Sequence, residues 1–200
     1  KDSAYEANSN DTLTLAAPEG YRMKLTGSVI MENGYEYLYV YDGENTKAQS
    51  LLTITGSANS NNPTYTTNIS AITSSGRHMT LRFKSDGTQH YAGLDLTVTL
   101  EKIDYSITLN QATGGTLSSD VEKATNGAKV SLNGTPVSGY RLSEATYVNA
   151  SGLGVVALMH SFDQAVFTMP ASNVNVYPTW TTNLTAEGGI HLDMPRNVNA

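Results

Sequence analysis

Cysteine is absent from the 200 residues, so thiol catalysis, cysteine-ligated metal and disulfide stapling are excluded together. Charge is scarce as well. Asp, Glu, Lys and Arg make up 15% of the chain, against roughly 25% in ordinary globular proteins. Lys and Arg number 12, form no cluster and leave a net charge of −6, which makes nucleic acid a poor partner. Long apolar runs are also missing. The longest, Val155 to Met159, falls far short of the ~18 residues of a membrane-spanning helix.

What the chain has instead is Ser, Thr and Asn for loops and turns, with Thr, Val, Ile and Tyr for half-buried pleated surfaces. Almost no segment shows a helical period. The length allows one large all-β domain or two small ones. A secreted eukaryotic module of this size usually carries disulfides. Their absence from a chain of otherwise extracellular character points to a bacterial source. No signal peptide opens the chain, which reads as a mature or excised piece.

Alternation of period two predicts the strands. Thr12 to Leu15 is a short run, and Pro18-Glu19-Gly20 a turn. Tyr21, Met23, Leu25, Gly27, Val29 and Met31 then alternate with more polar residues along one long strand. Asn33-Gly34 predicts a hairpin, because both residues tolerate positive φ. Glu36 to Tyr41 and Leu51 to Thr55 are further strands, and Asn59 to Asn62 a polar loop ending at Pro63. Leu81 to Lys84, Ser85-Asp86-Gly87 and Gly93 to Leu100 read as strand, turn and strand. The segment Lys102 to Asp104 reads as a boundary.

The Leu81–Leu100 segment, with its Phe83-x-Ser85-Asp86 turn, resembles the closing hairpin of a CUB domain, a secreted jelly-roll β-sandwich that often holds calcium at that turn. The resemblance covers roughly residues 3–101, and the opening strands of the sandwich are expected to be missing. It implies Glu32, Glu36 and Asp86 as calcium ligands, hard oxygen donors from three loops that carbonyls and water would complete. The sequence departs from the family in the short Glu32–Glu36 spacing, in a Glu rather than Asp at position 36, and in lacking a counterpart of the tyrosine that accompanies these carboxylates. By the same pattern Leu38 and Val40 point into the core. Tyr37, Tyr39 and Tyr41 then point outward as candidate ligand-binding residues, and Tyr35 shares their period. Exposed aromatics of this kind stack on sugars or anchor protein interfaces. They also serve as plain cross-strand ladders.

From Tyr105 the pattern changes. Tyr105-Ser106-Ile107-Thr108-Leu109, Gly114-Gly115-Thr116, Lys129 to Leu132, Pro136-x-x-Gly139-Tyr140 and Met169-Pro170-Ala171-Ser172-Asn173-Val174 resemble the divergent internalin-type B-repeat of bacterial surface proteins. Ser143 to His160 departs from it. Leu184 to Ile190 with Met194-Pro195 resembles the start of a following CUB-like module. The expected architecture is therefore all-β: a CUB-like jelly-roll sandwich (1–101), a small β-rich B-repeat-like module (105–182), and the beginning of another module (184–200).

No catalytic constellation competes with this reading. His78, His90, His160 and His191 are scattered without metal spacing. Asp163, Glu144 and Glu122 are the carboxylates from which a glycosidase pair would have to come. Asp2-Ser3-Ala4 and Asp11-Thr12-Leu13 fit a short bacterial O-glycosylation pattern. The expected function is non-catalytic binding or spacing in a larger bacterial surface or secreted protein, adhesin-like or ancillary to a protease. Its expected partners are a protein or glycan ligand and neighbouring modules, with neither nucleic acid nor a membrane span. A fragment with hydrolase activity of its own is the alternative. Residues near Ile190 to Met194 are expected to add to an unfilled sheet edge, within one chain or in a strand-exchanged dimer.

Overall fold

Apolar residues at every second position leave each strand with one face to bury, and two such sheets bury them against each other. In the computed structural model, which describes residues 5–182, this happens twice. The chain divides between Asp104 and Tyr105 into two compact units. Every element in the described residues is a strand.

The first unit contains β1 (Asn10–Ala16), β2 (Tyr21–Ile30), β3 (Tyr37–Asp42), β4 (Gln49–Thr55), β5 (Thr67–Thr73), β6 (His78–Lys84) and β7 (Gly93–Lys102). One sheet has the order β1-β6-β3-β4, the other β5-β2-β7. Every mapped pair is antiparallel. Met23, Leu25 and Val29 from β2 meet Leu38 and Val40 from β3 and Met79 and Leu81 from β6 in one buried cluster. Each such side chain contributes about 1.5–3 kcal/mol through burial, so the register is strongly specified: a one-residue slip would turn the whole set to solvent.

Three expectations fail here. The Asn33-Gly34 turn is not a hairpin, because β2 and β3 lie in different sheets. Gly34 does adopt positive φ, at 81°. The turn chemistry sets the local bend, but the buried faces of β2 and β3 oppose one another across the core rather than side by side. For the same reason the Leu81–Leu100 segment is a crossover, with β6 in one sheet and β7 in the other. Tyr35 falls in the exposed turn before β3 and does not join the other tyrosines.

The sheet edges differ in their cover. β7 pairs only with β2 among the described strands, and Leu94, Val98 and Leu100 are exposed along it, as is Leu13 on the edge strand β1. On the edge strands β4 and β5, Leu51, Leu52, Ile69 and Ile72 are buried or partly buried against the core. All four are edge strands; the inner face of the sandwich is covered along β4 and β5 and left uncovered along β1 and β7. The segment 184–200, including Ile190 to Met194, lies outside the described residues.

The second unit contains β8 (Asp104–Leu109), β9 (Gly115–Ser119), β10 (Lys123–Thr125), β11 (Lys129–Pro136), β12 (Tyr140–Val148), β13 (Gly154–Val156), β14 (Leu158–Ser161), β15 (Gln164–Thr168) and β16 (Val174–Thr182). Its sheets have the orders β10-β8-β16-β12-β13 and β14-β15-β11-β9. The terminal motif earns its residues by packing and hydrogen bonding. Met169 is buried and its backbone bonds to Gly127 and Ala128. Asn173 Oδ1 accepts from the Ser106 amide at 2.9 Å, tying β16 to β8. The Gly114-Gly115 pair has a steric reason: a Cβ on Gly115 would lie 2.5 Å from Trp180 Cη2. The indole needs the bare backbone. The atypical stretch around Val155 to Met159 crosses from β13, an edge of one sheet, to β14, an edge of the other, and leaves Val156 and Leu158 exposed.

Candidate functional site

Glu32 lies just beyond the end of β2, Glu36 immediately before β3, and Asp86 just after β6. The two sheets thus deliver three carboxyl groups to one end of the sandwich. One oxygen from each lies within 4.8 Å of the others, and this is the one group of three His, Asp or Glu side chains among the described residues close enough to share an ion. Glu32 and Glu36 are buried, and Asp86 is half-buried.

Burial makes this arrangement costly by desolvating the carboxylates, and like charges at such a distance further disfavour joint ionisation. The surroundings offset only part of the cost. Glu36 Oε2 accepts from the Glu32 amide at 2.6 Å and from the Tyr5 hydroxyl. Glu32 Oε1 accepts from Gln89 Nε2 at 2.7 Å, and Gln89 is itself held by the Tyr91 hydroxyl at 3.0 Å. Asp86 Oδ1 caps its own turn by accepting from the Thr88 amide at 2.8 Å. Glu32 Oε2 and Glu36 Oε1 remain buried with no hydrogen-bond partner. Unpaired buried carboxylate oxygens are rare unless something else meets them.

The titration behaviour follows from this geometry. Burial, with the charges of Asp86 and Glu36 adding to it, pushes the Glu32 carboxyl above its ordinary range, and His90 counteracts slightly. Burial also raises the Tyr5 phenol, and its hydrogen bond to Glu36 raises it further, so it stays a donor. Tyr91 is raised by the same burial and by the two glutamates. Tyr5 is fixed by edge-on contacts with Phe83 at 5.1 Å and His90 at 5.6 Å.

Sequence reasoning missed Tyr5, Gln89 and Tyr91. The expectation that no tyrosine accompanies the carboxylates is corrected by Tyr5, which reaches Glu36 only because the segment before β1 folds back over the end of the sandwich. Its position just ahead of the first strand was the only signal. Gln89 stands in the left-handed region, with φ of 52°, which no residue pattern announces.

The tyrosine row occupies a separate surface of the same unit. Leu38 and Val40 are fully buried, while Tyr37, Tyr39 and Tyr41 are half-buried on the opposite face of β3. Their rings are nearly parallel, with centroids 5.9 Å and 6.3 Å apart.

The remaining candidates are not brought into the carboxylate group. Glu144 accepts from Thr146 Oγ1 at 2.7 Å, and Asp163 Oδ1 meets the Leu142 amide at 3.5 Å. Glu122 offers its backbone carbonyl to the Ile107 amide. His78 faces Glu44 at 3.3 Å, and His160 lines grooves of the second unit. Thr12 is exposed on β1, whereas Asp2, Ser3, Ala4 and His191 lie outside the described residues. No helix among the described residues is long and apolar enough to cross a membrane.

Residues 105–184 match the family model described as the divergent InlB B-repeat domain. No curated protein matches the chain. Among solved structures, the CUB1-EGF-CUB2 domain of human MASP-1/3 is similar at 15% identity and a TM-score of 0.40, covering 73% of this chain and 69% of that one. The CUB1-EGF-CUB2 domains of rat MASP-1 are similar at 14% identity and a TM-score of 0.39, covering 88% and 91%. The chain is thus similar to the B-repeat family over residues 105–184 and to CUB-containing structures over much of its length.

Proposed function

We propose that the chain is a non-catalytic, extracellular binding and spacer segment of a larger bacterial surface or secreted protein, stabilised by calcium at Glu32, Glu36 and Asp86. The observation that carries this reading is the pair of buried, unpartnered oxygens, Glu32 Oε2 and Glu36 Oε1, in a cluster whose oxygens lie within 4.8 Å. Carboxylate oxygens suit a hard cation such as calcium, with carbonyls and water completing its shell. Bound calcium would offset two of the three negative charges and join the ends of β2, β3 and β6. Gln89 and Tyr5 would orient the two glutamates through their second oxygens, as outer-shell partners do at metal sites.

The tyrosine face is the proposed recognition surface for a protein or glycan ligand, because its aromatic residues are presented outward from a rigid sheet. Adhesin-like binding and a role beside a protease domain both fit such a module. The open β7 edge, with Leu94, Val98 and Leu100 exposed, supports strand addition by a neighbouring module or a second copy.

Titration calorimetry of the whole chain tests the metal reading. One calcium per chain is expected, with binding greatly weakened in Glu36→Gln and magnesium a poor substitute. Equal heats from wild type and Glu36→Gln would refute it.

A further inference from the structure

We propose that the outer face of the sheet β1-β6-β3-β4 binds an acidic polysaccharide, with Tyr37, Tyr39 and Tyr41 as ring contacts and Arg82 and Lys84 as partners of its carboxylate groups. The inference rests on the reading of the tyrosine face as the recognition surface, and it adds the chemistry of the ligand.

The registers place the side chains. Tyr39 stands opposite Arg82 on β6 and opposite Thr53 on β4. Tyr37 stands opposite Lys84 and Thr55. Beyond β6, Arg82 is opposite Thr12 and Lys84 opposite Asn10. Residues directly opposite in antiparallel strands share a face. Two adjacent rows therefore read Asn10, Lys84, Tyr37, Thr55 and Thr12, Arg82, Tyr39, Thr53, and neither contains a carboxylate.

That composition is unusual for this protein. The net charge is −6, and only 12 Lys and Arg are present in the whole chain. Arg22 and Lys24 are spent on Glu101. Arg82 and Lys84 make no ion pair among the described residues. The Arg82 Nε donates to the neutral Asn10 Oδ1 at 2.9 Å, which aims the guanidinium without cancelling its charge. A positive aromatic patch on an otherwise acidic surface selects an anion by charge complementarity.

The type of anion follows from which groups are available. β3 and β6 are interior strands whose backbone groups are used in the ladders on both sides. A peptide seeking main-chain bonds would find them at a sheet edge instead. Two cations are too few to hold a nucleic-acid backbone, for which roughly 6–10 phosphate contacts are usual. What the face offers is aromatic rings in a row, the hydroxyls of Thr12 and Thr53, and two cations; the Thr55 hydroxyl is already held between the Gly34 amide and the Glu32 carbonyl. The C–H face of a pyranose packs on an aromatic ring, its hydroxyls bond to threonines, and a uronate carboxylate pairs with Arg82 or Lys84.

The test is binding of the whole chain to three probes: polygalacturonate, neutral dextran and poly-glutamate, each also with Arg82→Gln/Lys84→Gln and with Tyr39→Ser. Polygalacturonate is expected to bind and to weaken with salt, and each variant is expected to lose about tenfold in affinity. The double variant is expected to melt as wild type does, since it changes only side chains on the outer face. Dextran binding as tightly as polygalacturonate, with the double variant unaffected, would overturn the acidic ligand and leave the tyrosine face standing. Poly-glutamate binding as tightly would overturn the saccharide. Retained polygalacturonate binding in Tyr39→Ser would refute the face itself, and no binding to any probe would overturn the proposal.

Discussion

The hydroxyl of Tyr5 donates to the carboxylate of Glu36, a residue 31 positions further along the chain and across the end of the sandwich. The bond fixes one oxygen of Glu36 and leaves the other buried and free. It also ties the segment before β1 to the start of β3. Tyr5→Phe removes the donor and leaves the ring contacts with Phe83 and His90. A hydrogen bond to a charged group is worth about 1.5–3 kcal/mol, and Tyr5 is only partly buried, so a loss of about 1 kcal/mol is expected in chemical denaturation. Calcium affinity should fall with it. Unchanged stability and affinity would show that the phenol only covers the site.

The two faces of β3 should answer differently to truncation. Leu38→Ala opens a cavity at a fully buried position and should cost about 2–5 kcal/mol. Tyr39→Ala removes a half-buried ring from the outer face and should cost clearly less. Denaturant midpoints with equal slopes decide it, and a larger loss for Tyr39→Ala would contradict the register.

Without metal, stability should depend on the Glu32 carboxyl. Burial and its acidic neighbours raise that group in the folded chain, so the folded form holds its proton more tightly than the unfolded form. The sign follows by linkage: this part of the stability is full below the ordinary glutamate value, about pH 4.3, and is lost as pH rises through the raised value. Denaturation in EDTA between about pH 4 and 8 should show the decline in wild type and a smaller one in Glu32→Gln. Equal slopes would contradict it. Millimolar calcium should flatten the wild-type decline.

Much of the first unit was legible because alternation is a local signal. Period two puts Met23, Leu25 and Val29 on one face of their strand and sets Leu38 and Val40 opposite Tyr37 and Tyr39, but that Leu38 and Val40 are the buried pair was implied by the CUB resemblance. Sheet membership was not legible. Asn33-Gly34 looks the same whether the strands it joins pair with each other or cross between sheets, since the choice depends on which distant strand covers each face. Glu32, Glu36 and Asp86 could be named from their motif, but their supports could not. Tyr5 and Gln89 reach the site through the long-range path of the chain. In the second unit the Gly114-Gly115 pair was visible as a turn, whereas its packing partner Trp180 lies at the far end of the module.

The open edge of β7 makes a prediction about the segment beyond the described residues. Deleting residues 184–200 should lower the melting temperature or change the mass measured by light scattering, if that segment covers Leu94, Val98 and Leu100. A shortened chain that keeps both values would refute strand addition from this segment.

The most direct test of the central claim is a melting curve of the whole chain in EDTA and in about 5 mM calcium. Extracellular calcium sites commonly have dissociation constants near 10⁻⁴–10⁻³ M. Binding to the folded state alone would then add about 1–2 kcal/mol. For a domain of this size that is a rise of roughly 5 °C or more in the transition of the first unit, and Glu32→Gln/Glu36→Gln should abolish it. Superimposable wild-type curves with and without calcium would contradict the account.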